Sequence, residues 1–143
     1  TLQKQSYDMI CLWDVLEHVC DPKEALLILS KLLKPDGVLL INYPDVGTKQ
    51  ARIFGKYFWW YLSVHLHYFT RKSIKHLSNI CGFKVVHFQD HWQTLELGYL
   101  LDMAIHLKAP LARILKKITP NRLQRLPVPY YASQTTAIVE RVE

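Results

Sequence analysis

The sequence predicts an α/β fold built on a parallel sheet. Two apolar runs, Tyr7 to Trp13 and Val38 to Asn42, flank an amphipathic segment from Pro22 to Leu33. That strand–helix–strand order is the unit of a parallel sheet. Helix start and stop signals fall between the runs, and a β-branched run, Thr135 to Val142, closes the chain.

The first run is nearly continuous in apolar residues, which predicts a strand over 8–13 buried on both faces. Asp14 to Asp21 reads as a strand-end loop with a turn of helix. Asp21 caps, Pro22 fits the first helical position, and Glu24 completes the capping pattern. Ala25, Leu26, Ile28, Leu29, Leu32 and Leu33 then recur with helical period. Pro35-Asp36-Gly37 is read as the turn before a second buried strand over 38–42. Gln50 to Leu62, dense in Phe, Tyr and Trp, is expected to be helical. Thr70 is expected to cap a helix from Arg71 to Ile80, which Gly82 ends. Strands are expected at 83–88 and 135–142. Between them, helices are expected over Thr94–Leu107 and Pro110–Ile118, and Pro120, Pro127 and Pro129 are expected to break the chain after the second of these helices.

The composition narrows the function. The chain has 143 residues, the size of one domain, and half are hydrophobic, which excludes a disordered chain. No apolar run reaches the length of a membrane span and no leader pattern opens the chain. The three cysteines, Cys11, Cys20 and Cys81, lack metal-site spacing and read as reduced thiols of a cytoplasmic protein. Charge is uneven: residues 1–45 carry a net −3 and residues 46–143 a net +9. Such a field suits an anionic lipid surface, a nucleic acid or a phosphorylated ligand, or is simply solvated.

The stretch Tyr7-Asp8-Met9-Ile10-Cys11-Leu12-Trp13-Asp14-Val15-Leu16-Glu17-His18-Val19-Cys20-Asp21-Pro22 resembles the fourth strand and adjoining loop of class I S-adenosylmethionine-dependent methyltransferases. Leu33-Lys34-Pro35-Asp36-Gly37 resembles the turn before that family's fifth strand, and Gly82-Phe83 the turn before its sixth. Two further segments, Gly55 to Tyr61 and His65 to Thr70, are similar to a subgroup associated with polysaccharide or lipid-linked glycan genes. The resemblance covers most of residues 6–90 and, more weakly, 130–142. It implies the C-terminal part of a Rossmann-like three-layer sandwich, with the last strand antiparallel between the strands at 38–42 and 83–88. One domain is expected over 1–143, with inserts at 46–64 and 94–129.

One departure is large. The family places a glycine-rich loop after its first strand, whereas Gly37, Gly47, Gly55, Gly82 and Gly98 form no close set. The chain is therefore expected to be a fragment whose glycine-loop half lies before Thr1, inactive by itself.

The resemblance implies S-adenosylmethionine as cofactor, with Trp13, Asp14 and Val15 as its contacts. Open α/β sheets bind ligands at this carboxyl edge of the strands. Tyr43, Trp59, Trp60 and Tyr68 are expected on the acceptor side. His65 and His67 are candidate catalytic bases, since imidazole takes a proton from a hydroxyl near neutral pH and the spacing places both rings on one strand face. Glu17 and His18 are expected to order the loop by hydrogen bonding. No metal is expected, although Asp14, Glu17 and His18 together offer oxygen and imidazole ligands to a divalent ion, as in some relatives.

The implied activity is methyl transfer to a small or lipid-linked acceptor, with a sugar hydroxyl preferred. The alternative is a non-catalytic module binding a partner or a membrane. Arg113, Lys116 and Lys117 share a helix with Leu111, Ile114, Leu115 and Ile118, a pattern that fits a membrane surface or domain packing. A homodimer and peripheral contact at the inner face of a membrane are carried as expectations; a nucleic-acid partner is not expected.

Overall fold

The computed structural model describes residues 5–142. Four strands, β1 (Tyr7–Trp13), β2 (Leu33–Pro44), β3 (Phe83–Glu96) and β4 (Pro127–Arg141), form one sheet in the order β1-β2-β4-β3. β1 and β2 are parallel, with Met9 opposite Val38 and Trp13 opposite Asn42. β4 runs antiparallel to β2, with Leu39 opposite Val139 and Ile41 opposite Ala137. The expected neighbours and the inserted last strand are therefore found.

The two helices that flank the core start where the sequence places their caps. In α1 (Pro22–Leu32), the Asp21 carboxylate accepts the Glu24 N–H at 2.9 Å. In α3 (Arg71–Ile80), Thr70 Oγ1 accepts the Ser73 N–H at 3.1 Å and Ser73 Oγ accepts the Thr70 N–H at 2.8 Å. Gly82, at φ +78°, comes after α3 in the left-handed conformation that glycine adopts without strain. Leu26 and Ile74 from these helices join Leu16, Leu33, Leu39, Ile41, Tyr43, Phe83, Ala137 and Val139 in the main core. Alternation along β2 and β4 aims Leu39, Ile41, Ala137 and Val139 at one face, where all four are fully buried.

Several expected boundaries move. The turn at Pro35-Asp36-Gly37 is a bulge within β2: Tyr7 pairs with Leu33 and Met9 with Val38, so extra residues loop out between them. A Cβ on Gly37 would lie 2.6 Å from Leu33 Cγ, so a larger residue there would have to displace the fully buried Leu33 side chain. β1 is not buried on both faces. It is a sheet edge among the described residues, and Tyr7, Met9, Cys11 and Trp13 are exposed. The helix expected over 50–62 is shorter: α2 (Lys49–Phe54) ends at Gly55, whose φ of +51° stops it, and a 3-10 turn, Gly55–Tyr57, comes next.

The chain divides into two compact units. One runs to His91 and resumes at Ser133, and the other is Trp92–Ala132. In the second unit, α4 (Leu97–His106) begins three residues later than expected, because Thr94 to Glu96 continue β3. Pro110 lies before α5 (Ala112–Ile118) rather than inside it, and a short α6 (Asn121–Gln124) comes after it. Pro127 and Pro129 do not break the chain; they open β4 at exposed positions near its start, where proline is tolerated in a strand. Asp102 and Lys116 form an ion pair between α4 and α5. Gln124 Nε2 donates to Thr119 O at 2.8 Å, and a Cβ on Gly98 would lie 3.2 Å from Gln124 O, so glycine permits α4 and α6 to approach.

Candidate functional site

Asp14 leaves β1 in the left-handed conformation, φ +50°, which a short polar side chain tolerates. Its N–H donates to Asn42 O at 3.3 Å, extending the parallel pairing past the strand end. Its carboxylate accepts a hydrogen bond from Gln134 Nε2 at 2.7 Å. Burial pushes the Asp14 carboxyl above the usual aspartate range, while the Gln134 bond and the nearby His91, His65 and His18 pull it back. Trp13, 48% exposed, meets the His91 ring edge-on at 4.9 Å, and Val15 is also exposed.

The next turn brings Glu17 inward. It lies in the 3-10 turn Leu16–His18 and is 1% exposed. Neither carboxylate oxygen has a hydrogen-bond partner among the described residues. Burial raises its pKa first, and the charge on Asp14 adds to the rise. The loop is ordered instead by the Glu17 carbonyl, which accepts the N–H groups of Leu66 at 2.9 Å and His67 at 3.2 Å. The expected ordering role thus belongs to the backbone of Glu17 and to His18, whose Nδ1 lies 2.9 Å from Val64 O.

His65 completes this cluster. It is 8% exposed, and its Nδ1 lies 2.9 Å from Trp60 O. A carbonyl only accepts, so Nδ1 carries a proton in His18 and His65, and in the neutral form of each ring Nε2 is an acceptor. The two rings meet edge-on at 4.8 Å, and one ligand atom each of Glu17, His18 and His65 lies within 4.8 Å of the others. A carboxylate and two imidazole acceptors at such separations can share a proton or take a cation. Asp14 is outside that set, its carboxylate being held by Gln134.

The structure separates His65 from His67. Residues 61–68 form turns and not a strand, so the two rings do not share a strand face. His67 stacks on Phe69 at 6.0 Å, and its Nε2 lies 3.4 Å from Cys20 O. Trp60 stacks on His65 at 6.2 Å. Tyr68, exposed, meets His65 edge-on at 6.2 Å and donates from its hydroxyl to Leu62 O at 3.0 Å. Trp59 packs instead on Phe54 and Phe58. Tyr43 is fully buried in the main core, edge-on to Phe69. His65, Trp60 and Tyr68 thus meet, and Asp14 lies close enough to His65 for their charges to interact, whereas Trp13 meets His91 and Tyr43, Trp59 and His67 face other neighbours.

Two participants carry no sequence signal: His91 lies beyond the strand expected at 83–88, and Gln134 precedes the one expected at 135–142. Asp45, just past the end of β2, is 3% exposed and organises the loop. Its Oδ1 accepts the Gly47 N–H at 2.8 Å, its Oδ2 accepts the Thr135 hydroxyl at 3.0 Å, and Arg71 Nε lies 3.6 Å away.

A family model described as a methyltransferase domain matches residues 2–88. No curated protein matches the sequence. Among solved structures, the chain is similar to an S-adenosylmethionine-dependent methyltransferase of Thermotoga maritima, at 18% identity and a TM-score of 0.58, over 99% of this chain and 59% of that one. It is similar also to one of Archaeoglobus fulgidus, at 17% identity and a TM-score of 0.55, over 96% of this chain and 60% of that one. At these identities the likeness concerns the fold, and the chain spans about 60% of the length of those relatives. With the family model covering more than half of its residues and its sheet order that of the fold, the chain belongs to the class I S-adenosylmethionine-dependent methyltransferases.

Proposed function

We propose that this chain is the C-terminal portion of a methyltransferase domain, with inserts at 46–64 and 94–129, acting on a small or lipid-linked acceptor. The observation that carries the reading is the gathering of exposed Trp13 and Val15, the Asp14 carboxylate and the His65 imidazole at the carboxyl end of the parallel pair β1–β2. Ligands of open α/β sheets bind at this edge. When bound, S-adenosylmethionine would supply a sulfonium methyl carbon for attack by an acceptor nucleophile, with S-adenosylhomocysteine leaving as the methyl–sulfur bond breaks. Trp13 and Val15 offer it an apolar wall, and Asp14 a hydrogen-bond acceptor. No close set of glycines accompanies them, so these residues form one side of the cofactor site.

On the acceptor side, His65 Nε2 takes the proton of the attacking group, while the Trp60 carbonyl fixes the ring through Nδ1. Trp60 and Tyr68 border that imidazole, Tyr43 and Trp59 support the surrounding aromatic packing, and His67 is the second candidate base. A sugar hydroxyl is the preferred acceptor on the resemblance of Gly55 to Tyr61 and His65 to Thr70 to a subgroup associated with glycan genes, and an imidazole base is compatible with it. The same reading carries a cytoplasmic location with peripheral contact at the inner face of a membrane, and a homodimer. The test is transfer of labelled methyl from S-adenosylmethionine by the full-length parent protein to matched hydroxyl, amine and carboxylate acceptors. Labelling of the hydroxyl series alone supports the reading; labelling of amines alone would replace it.

A further inference from the structure

Helix α5 turns its apolar stripe away from the unit that carries it. Ala112 is buried, and Lys116, one turn on, is paired with Asp102 of α4, so this side of the helix faces α4. Leu111, Ile114, Leu115 and Ile118 recur at the spacing of one helix face, and they are 66%, 57%, 48% and 67% exposed. Leu107, Leu123 and Leu126 are exposed beside them in the sequence. A helix that packs for stability does the reverse and buries such a stripe. From Met103 to Ala132 the chain carries Lys108, Arg113, Lys116, Lys117, Arg122 and Arg125 and no acidic residue. Of these six, only Lys116 has an acidic partner among the described residues.

We propose that this face of residues 103–126 docks on an anionic lipid surface, independently of the methyl-transfer reading. The aliphatic side chains enter the boundary between headgroups and acyl chains. The cations stay at the headgroup phosphates while their methylene stems cover apolar area. Two features favour lipid over a protein groove. The apolar surface draws on both α4 and α5, with Ile105, Leu111 and Ile114 around one concavity, instead of forming one continuous ridge. Lys108 and Arg113 also alternate with Ile105, Leu111 and Ile114 around an open concavity of about 390 Å³. A fluid anionic interface accommodates such interleaving, since headgroups rearrange around each cation.

The test is co-sedimentation of the 143-residue chain with vesicles of phosphatidylcholine alone and of phosphatidylcholine with phosphatidylserine. Binding is expected only to the serine-containing vesicles, weakening as salt rises. Arg113→Glu with Lys117→Glu should weaken it by roughly tenfold or more. Ile114→Ser with Ile118→Ser should weaken it with no change of charge. Lys72→Glu with Lys75→Glu, on α3, makes the same charge change elsewhere and should leave binding intact. Equal binding to both vesicles, binding to neither, or equal loss in the α3 variant overturns the proposal. So does a dimer in light scattering that Ile114→Ser with Ile118→Ser dissolves while vesicle binding is unchanged.

Discussion

Gln134 Nε2 donates to Asp14 Oδ1 at 2.7 Å, so a buried side chain of β4 holds the carboxylate at the end of β1. Gln134→Leu removes the donor from a partly desolvated acid. The loss should be roughly 1.5–3 kcal/mol, toward the lower end because Asp14 keeps part of its exposure to water. Urea denaturation near neutral pH measures it; a change below about 0.5 kcal/mol, the range of neutral surface changes, would mean the bond does not hold the loop.

Glu17 predicts a pH dependence. Its folded pKa is raised, chiefly by burial, so the folded chain keeps a proton that the unfolded chain has already released. Its contribution to stability is therefore full at and below the ordinary glutamate range and is lost as pH rises through the folded value. Glu17→Gln should raise the denaturation midpoint near neutral pH and flatten this part of the profile. An unchanged slope would show that the carboxylate is compensated in solution.

Asp45 joins Gly47, Thr135 and Arg71 at the end of β2. Asp45→Ala leaves the Gly47 N–H and the buried Thr135 hydroxyl without their acceptor and should cost about 2–4 kcal/mol. Asp45→Asn keeps an oxygen for Gly47 and should cost less. Equal losses in thermal denaturation would mean that charge, not hydrogen bonding, dominates there.

The helix caps and the first two strands were legible because they depend on neighbours in sequence: Asp21 with Glu24, Thr70 with Ser73, and the apolar runs that become β1 and β2; the insertion of β4 beside β2 followed only from the family resemblance. The outer parts of β3 and β4 were not, because Pro127 and Pro129 signal a break in any local reading and only strand pairing overrides it. The cluster at the site was half legible. Asp14, Glu17 and His18 stand together in the sequence, but the approach of His65 depends on two backbone carbonyls, Trp60 O and Glu17 O, that no residue pattern marks. The same contacts explain why His65 and His67, two residues apart, point to different neighbours.

In the full-length parent protein, His65→Ala should lower turnover by roughly 10²-fold or more, with little change in cofactor affinity, as removal of a general base does. His67→Ala should have the smaller effect, since its ring lies against Phe69 and Cys20. Equal and large losses of cofactor binding would assign both rings to the donor side instead.

Calorimetry with S-adenosylmethionine tests most directly whether these 143 residues supply one side of a cofactor site. A half-site keeps few contacts yet still bears much of the entropic cost of immobilising the ligand. The chain alone should bind more weakly than about 10 μM, equivalent to roughly −7 kcal/mol. A longer parent chain carrying a glycine-rich loop should bind more tightly. Binding by the 143 residues alone at or below that concentration would contradict the half-site, since Trp13, Asp14 and Val15 would then belong to a complete one.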